Sequence, residues 1–131
     1  MPQILRGIET THLNVNPNQW VVAGEVTGIK GRIDRITVIA VKDGQIGGVR
    51  YTDVRVSVDG GAWHDIHIGG TADSNLSRMI MVTYSASAFN QRVDIKVPTD
   101  FESSFRIEAR QKLTTQQANI TSAVDYVEFM D

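Results

Sequence analysis

Apolar and polar residues alternate with a period of two through much of this chain. The clearest run is Val54-Arg55-Val56-Ser57-Val58-Asp59. The valines fall on one face of a strand and the polar residues on the other. Asp59-Gly60-Gly61 follows, residue types that tolerate the positive φ of a tight turn. Beyond it, Trp63, Asp65 and His67 alternate with Ala62, His64, Ile66 and Ile68. The pattern predicts a β-hairpin with strands over 49–58 and 62–68 and with its valines in the core. Arg55, on the polar face, reads as a surface residue whose truncation to alanine costs about 0.5 kcal/mol or less.

Turn residues divide the rest of the chain. Asn16-Pro17-Asn18, Gly28-Ile29-Lys30-Gly31, Asp43-Gly44 and Pro98-Thr99-Asp100 separate predicted strands over 4–15, 20–27, 33–42, 79–88, 92–97, 104–111 and 120–130. Pro98 is expected to stop the strand before it, because proline cannot donate to a ladder. A short helical turn is predicted at 76–78. Phe105, Ile107 and Ala109 are predicted inward, and Trp20, opening an apolar strand, is placed in the core. Eight or nine short strands without an apolar stripe at helical spacing predict an all-β, antiparallel two-sheet sandwich. The expected topology is immunoglobulin-like, with a jelly roll as the alternative.

The chain has 131 residues, 41% of them apolar and 21% charged, which suits one sandwich domain over 1–131 with a real core. Thirteen basic and fifteen acidic residues give a net charge of −2, so no nucleic-acid partner is expected. The nearest basic group, Lys30, Arg32 and Arg35, is interrupted by Asp34 and reads as a solvated loop. The absence of cysteine excludes disulfides and cysteine-ligated metals. Met1-Pro2-Gln3-Ile4-Leu5-Arg6 is not a signal-peptide start, and no apolar run approaches a membrane span. Folding in a cytoplasm, with no membrane partner, is the expectation.

Candidate chemistry is sparse. His64 and His67 flank Asp65 and Ile66, but residues three apart on a strand face opposite ways, and Asp65 with His67 makes only two ligands. Gly44-Gln45-Ile46-Gly47-Gly48 lacks the Lys-Ser/Thr of a phosphate loop, and Asp73-Ser74-Asn75 reads as a turn. No Gly-x-Ser-x-Gly elbow occurs. The chain is therefore read as no enzyme, with no catalytic residues, no metal and no cofactor. Trp63 with His64, Asp65 and His67 forms the one candidate ligand site: an aromatic face for a sugar ring beside polar groups for its hydroxyls.

A second candidate surface comes from strands apolar on both faces. Ile39 and Val41 lie opposite Ile36, Val38 and Ala40, and residues 79–82, with Met79 and Met81, are apolar throughout. Ile39, Val41, Met79 and Met81 are therefore predicted interface residues for other protein subunits, in a homo-oligomer or a larger lattice.

Val54-Arg55-Val56-Ser57-Val58-Asp59-Gly60-Gly61-Ala62-Trp63, with Phe105-Arg106-Ile107-Glu108-Ala109-Arg110 later, resembles the immunoglobulin-like and fibronectin-like modules of bacterial surface proteins and tailed-phage virion proteins. The resemblance implies a β-sandwich and transfers no catalytic residue. With the signal-less, cysteine-free sequence it implies a phage structural protein, either a capsid decoration or a tail or baseplate component. Such a protein reaches the virion after folding in the host cytoplasm and acts through protein–protein contacts. The alternative is a carbohydrate- or host-surface-binding module using Trp63 and its neighbours.

Overall fold

The computed structural model describes residues 2–42, 45–47, 52–68, 81–84, 93–112 and 116–130. They form ten strands: β1 (Gln3–Val15), β2 (Val21–Thr27), β3 (Gly31–Lys42), β4 (Gln45–Gly47), β5 (Thr52–Val58), β6 (His64–Ile68), β7 (Met81–Tyr84), β8 (Val93–Phe101), β9 (Ser104–Gln111) and β10 (Ala118–Phe129). Eight have five residues or more; β4 and β7 are short. No helix occurs among the described residues. The helical turn expected at 76–78 lies outside them.

Two antiparallel sheets result, as the alternation predicts. One has the order β1-β10-β3-β8-β7, with β4 pairing the far end of β3; the other has the order β2-β9-β5-β6. Four pairings are nested inside one another: β1 with β10, β2 with β9, β3 with β8 and β5 with β6. Among the long strands only β5 and β6 are consecutive neighbours within a sheet; every other link passes to the opposite sheet. A long hairpin wound around a core in this way is a jelly roll. An immunoglobulin-like order, implied by the resemblance, would set the first two strands side by side in one sheet. Here β1 and β2 lie in opposite sheets, so the topology is the jelly roll.

The inward faces meet in one apolar cluster. Ile33, Ile36, Val38, Ile120 and Val124 of the first sheet face Val54, Val56, Phe105, Ile107 and Ala109 of the second, all buried. Phe101 and Phe105 pack edge-on at 4.9 Å, and Tyr126 lies 5.4 Å from Phe105 in the same manner. Gly31 is required where β3 crosses β10, since a Cβ there would come within 1.9 Å of the Val127 carbonyl oxygen.

Three expectations change. β8 continues through Pro98 to Phe101. The β3–β8 register shifts between the pairs Ile33–Thr99 and Arg35–Lys96, and this irregularity takes up the proline, which needs no ladder partner there. Arg32 and Arg35 belong to strand β3 rather than a loop, paired with Asp34 at 2.7 Å and Asp125 at 2.7 Å. Trp20 is half-buried and outside the core; it precedes β2 and lies against guanidinium groups on the outer face.

Candidate functional site

The outer face of the four-stranded sheet carries a dense charge network. Antiparallel register sets Arg55 of β5 opposite Glu108 of β9, Asp53 opposite Arg110, and Glu25 of β2 opposite Arg106. Arg55 donates to Glu108 through Nε at 2.9 Å and again through Nη2. Arg106 bridges Glu108 and Glu25, each at 3.0 Å. Asp53 accepts from Arg110 at 2.6 Å and pairs with Lys112 at 3.0 Å. Asp53 is 2% exposed and Glu108 7%. Carboxylates this buried persist only because each holds two cations.

Two tryptophans frame the network. The Arg55 guanidinium lies over the faces of Trp20 at 4.0 Å and Trp63 at 4.3 Å, and Arg110 lies over Trp20 at 4.5 Å. Indole faces attract cations, most strongly where water is excluded. Trp63 keeps 40% of its surface exposed, and His64 and Asp65 beside it are exposed. Asp65 stands opposite Arg55 and His67 opposite Val54, with a register shift between the two pairs. The His67 side chain lies outside what is described. Of the predicted ligand site, Trp63, His64 and Asp65 are thus grouped at one rim.

Sequence reasoning placed these charges outside but missed their mutual burial. A signal was present: Asp53-x-Arg55 and Glu108-x-Arg110 carry the same sign order, acid before base, so antiparallel pairing sets each acid opposite a base.

The hairpin turn does more than reverse the chain. Asp59 at φ 54° and Gly60 at φ 71° form a primed turn closed by Gly61 N–H to the Val58 carbonyl at 2.9 Å. The Asp59 carboxylate then accepts the amides of Glu102, Ser103 and Ser104 at 3.0, 2.7 and 3.1 Å, and the Ser103 hydroxyl at 3.2 Å. Hydrogen bonds from the Glu102 and Ser103 amides hold its carboxyl below the usual carboxylate range. A group lowered on folding stabilises above its unfolded pKa, about 3.9, and loses that contribution as pH falls through its folded value. Asp59→Asn is expected to melt below the parent at pH 7. The gap should close as thermal melts are repeated at pH values falling below about 4.

The second surface is β1, which ends the six-stranded sheet. Its odd residues face outward, and Leu5 is 82% and Leu13 66% exposed. On the inward side Thr10 Oγ1 donates to the Ala23 carbonyl at 3.1 Å, and His12 Nε2 lies 2.7 Å from the Val22 carbonyl oxygen. These contacts join β1 to β2 across the sheets. Of the predicted interface residues, Ile39 and Val41 are half-buried on the outer side of β3, with Ile39 opposite Thr121, itself opposite Thr11 of β1. Met81 opens β7 opposite Lys96, its side chain not described; Met79 lies outside the described residues.

Elsewhere, a cleft of about 540 Å³ lined by Ile29, Lys30, Glu102, Ser103, Glu128 and Met130 is bridged by Lys30 and Glu102 at 3.5 Å. Among the described residues no three histidines or carboxylates are grouped to hold a metal ion, and no helix is long and apolar enough to cross a membrane. The sheets and surfaces above define an antiparallel β-sandwich of jelly-roll order. No protein-family model matches the chain, and no curated protein matches it.

Proposed function

We propose that this chain is a non-enzymatic structural and interaction protein, a phage virion component of the capsid decoration or tail and baseplate kind, working through contacts with other protein subunits. The observation that carries the reading is the outward display of Leu5 and Leu13, 82% and 66% exposed, on the terminal strand of the six-stranded sheet. Large apolar side chains held in water on a sheet flank favour burial against another chain. Jelly rolls serve as capsid subunits elsewhere, which supports the reading by analogy of architecture. The charges of the opposite face are largely spent on one another, which leaves the six-stranded sheet as the binding side.

Ile39→Lys tests this on the same outer face. Ile39 is half-buried beside fully buried Val38 and Ala40. The variant is expected to fold with an unchanged melting temperature and to associate less with its partner subunits or particle. The readout is solution mass together with co-sedimentation with purified particles. A parent protein that stays monomeric at high concentration and is absent from particles overturns the proposal. The competing reading, glycan recognition, draws on the exposed rim of Trp63, His64 and Asp65. Glycan-array binding that disappears on Trp63→Ala would favour it instead.

A further inference from the structure

We infer that β1 is a self-pairing edge, and that the partner it takes is the β1 of a second copy of this chain, antiparallel across a two-fold axis at Glu9. The inference rests on the proposed interaction role and names its partner.

β1 pairs with β10 along one side from Gln3 to His12. Among the described residues no strand pairs with its other side. Edge strands in isolated proteins are commonly blunted by lysine, proline or a mid-strand bulge. Between Gln3 and Leu13 there is no lysine and no proline. The irregularity in β1 comes only at its end, between His12 and Val15, where Asn14 has φ 55°.

The sequence of the edge is matched to itself. In an antiparallel pair, residues directly opposite share a face. Leu5 and Leu13 lie on the same outer face, each four positions from Glu9. A two-fold axis at Glu9 therefore sets Leu5 of each copy opposite Leu13 of the other, covering both exposed leucines in two identical contacts. Gly7 falls opposite Thr11, a small residue against a β-branched one. On the inner face Ile8 meets Thr10, and Arg6 meets His12. Arg6 is already held by Glu128 at 3.3 Å, and His12 by the Val22 carbonyl at 2.7 Å. Moving the axis by one residue in either direction leaves each leucine opposite a different residue type. A pairing over residues 5–13 spans roughly 27 Å and makes about eight to ten backbone hydrogen bonds. Such a two-fold contact closes on itself and does not propagate into a fibre.

One pair opposes the register: Glu9 faces Glu9 of the other copy at the axis. Like charges opposite one another on a sheet repel, so the dimer of the natural chain is weak and reversible. Glu9 acts as the restraint on an otherwise complementary edge.

Sedimentation equilibrium over a range of protein concentrations, with circular-dichroism melts as the fold control, tests the inference. The parent is expected to show a concentration-dependent monomer–dimer equilibrium, tightened at least tenfold by Glu9→Gln. Leu5→Lys and Leu13→Glu, both at exposed positions, should each weaken the dimer at least tenfold without altering the melt. The double variant Leu5→Lys/Leu13→Glu places opposite charges against each other twice and should recover most of the loss. Singles that leave dimerisation unchanged, a double variant without recovery, or a Glu9→Gln protein that stays monomeric at millimolar concentration would each overturn the register. A monomeric chain that still binds particles, in a manner lost on Ile39→Lys, would remove this dimer and leave the proposed function standing.

Discussion

Val56→Asp is expected to abolish the cooperative fold at room temperature. Val56 is 5% exposed on the inward side of β5, opposite Ile107 of β9. The core around it is apolar, with Val54, Ile107 and Phe105 as buried members. A carboxylate there has no cation to meet and must stay ionised at a cost of several kcal/mol or take up a proton. Domain stabilities are about 5–15 kcal/mol in total, so one such substitution removes most of the margin. A urea titration followed by tryptophan fluorescence reads the effect. A variant with the parent's midpoint would place Val56 on the outer face and reverse the assignment of both sheets' interiors.

The next largest effect is expected from Arg55→Ala, on the opposite side of the same strand. As a surface position it would cost about 0.5 kcal/mol or less. The structure raises that figure. Arg55 is one of two cations on the buried Glu108 and lies over the faces of both tryptophans. Removing one member of a fully buried ion pair costs about 3–5 kcal/mol. Here Arg106 remains on Glu108, and the Arg55 side chain is 24% exposed, which lowers the cost. Adding the lost indole contacts, about 2–3 kcal/mol is expected. Arg32→Ala is the control. Arg32 and Asp34 are both about one-third exposed, at 36% and 35%, and ion pairs this open to solvent are screened and contribute little. Equal midpoint shifts for the two variants would mean that the Glu108 network adds no more than an ordinary surface pair.

The contrast between these two positions shows what the sequence carries. Alternation assigns faces, and it does so correctly for Val54 and Val56, for Phe105, Ile107 and Ala109, and for Ile36, Val38 and Ala40, all buried. A face, however, is not an environment. Asp53 and Glu108 sit on the polar side and are nonetheless buried, because arginines from the neighbouring strand and Trp20 fold over them. That cover depends on register between strands more than fifty residues apart, which spacing within one strand cannot supply. Trp20 was placed in the core because aromatic burial is usually apolar; cation–indole packing offers the outer face an equivalent. The turn at Asp59 was legible as a turn. Its grip on the amides of 102–104 was not, since those amides belong to the β8–β9 connection and the first residue of β9. The jelly-roll order was likewise hidden, because among the long strands only β5 and β6 announce each other through a short turn.

The nesting of the four strand pairs governs how the chain can fold. β5 and β6 meet after a short loop, whereas Gln3 meets Phe129 at the far ends of the sequence. Loop closure costs about 0.6 kcal/mol for each doubling of length, and that cost falls for an outer pair once an inner one has closed. The central hairpin is therefore the natural nucleus, with closure passing outward to β1 and β10 last. Long-range pairing of this kind folds in milliseconds to seconds rather than microseconds. During that interval the chain exposes the β10 edge that β1 finally covers. On a crowded ribosome the same edge is open to the β1 of a neighbouring copy, and exchange of that strand between subunits becomes a hazard of synthesis rather than of the folded state.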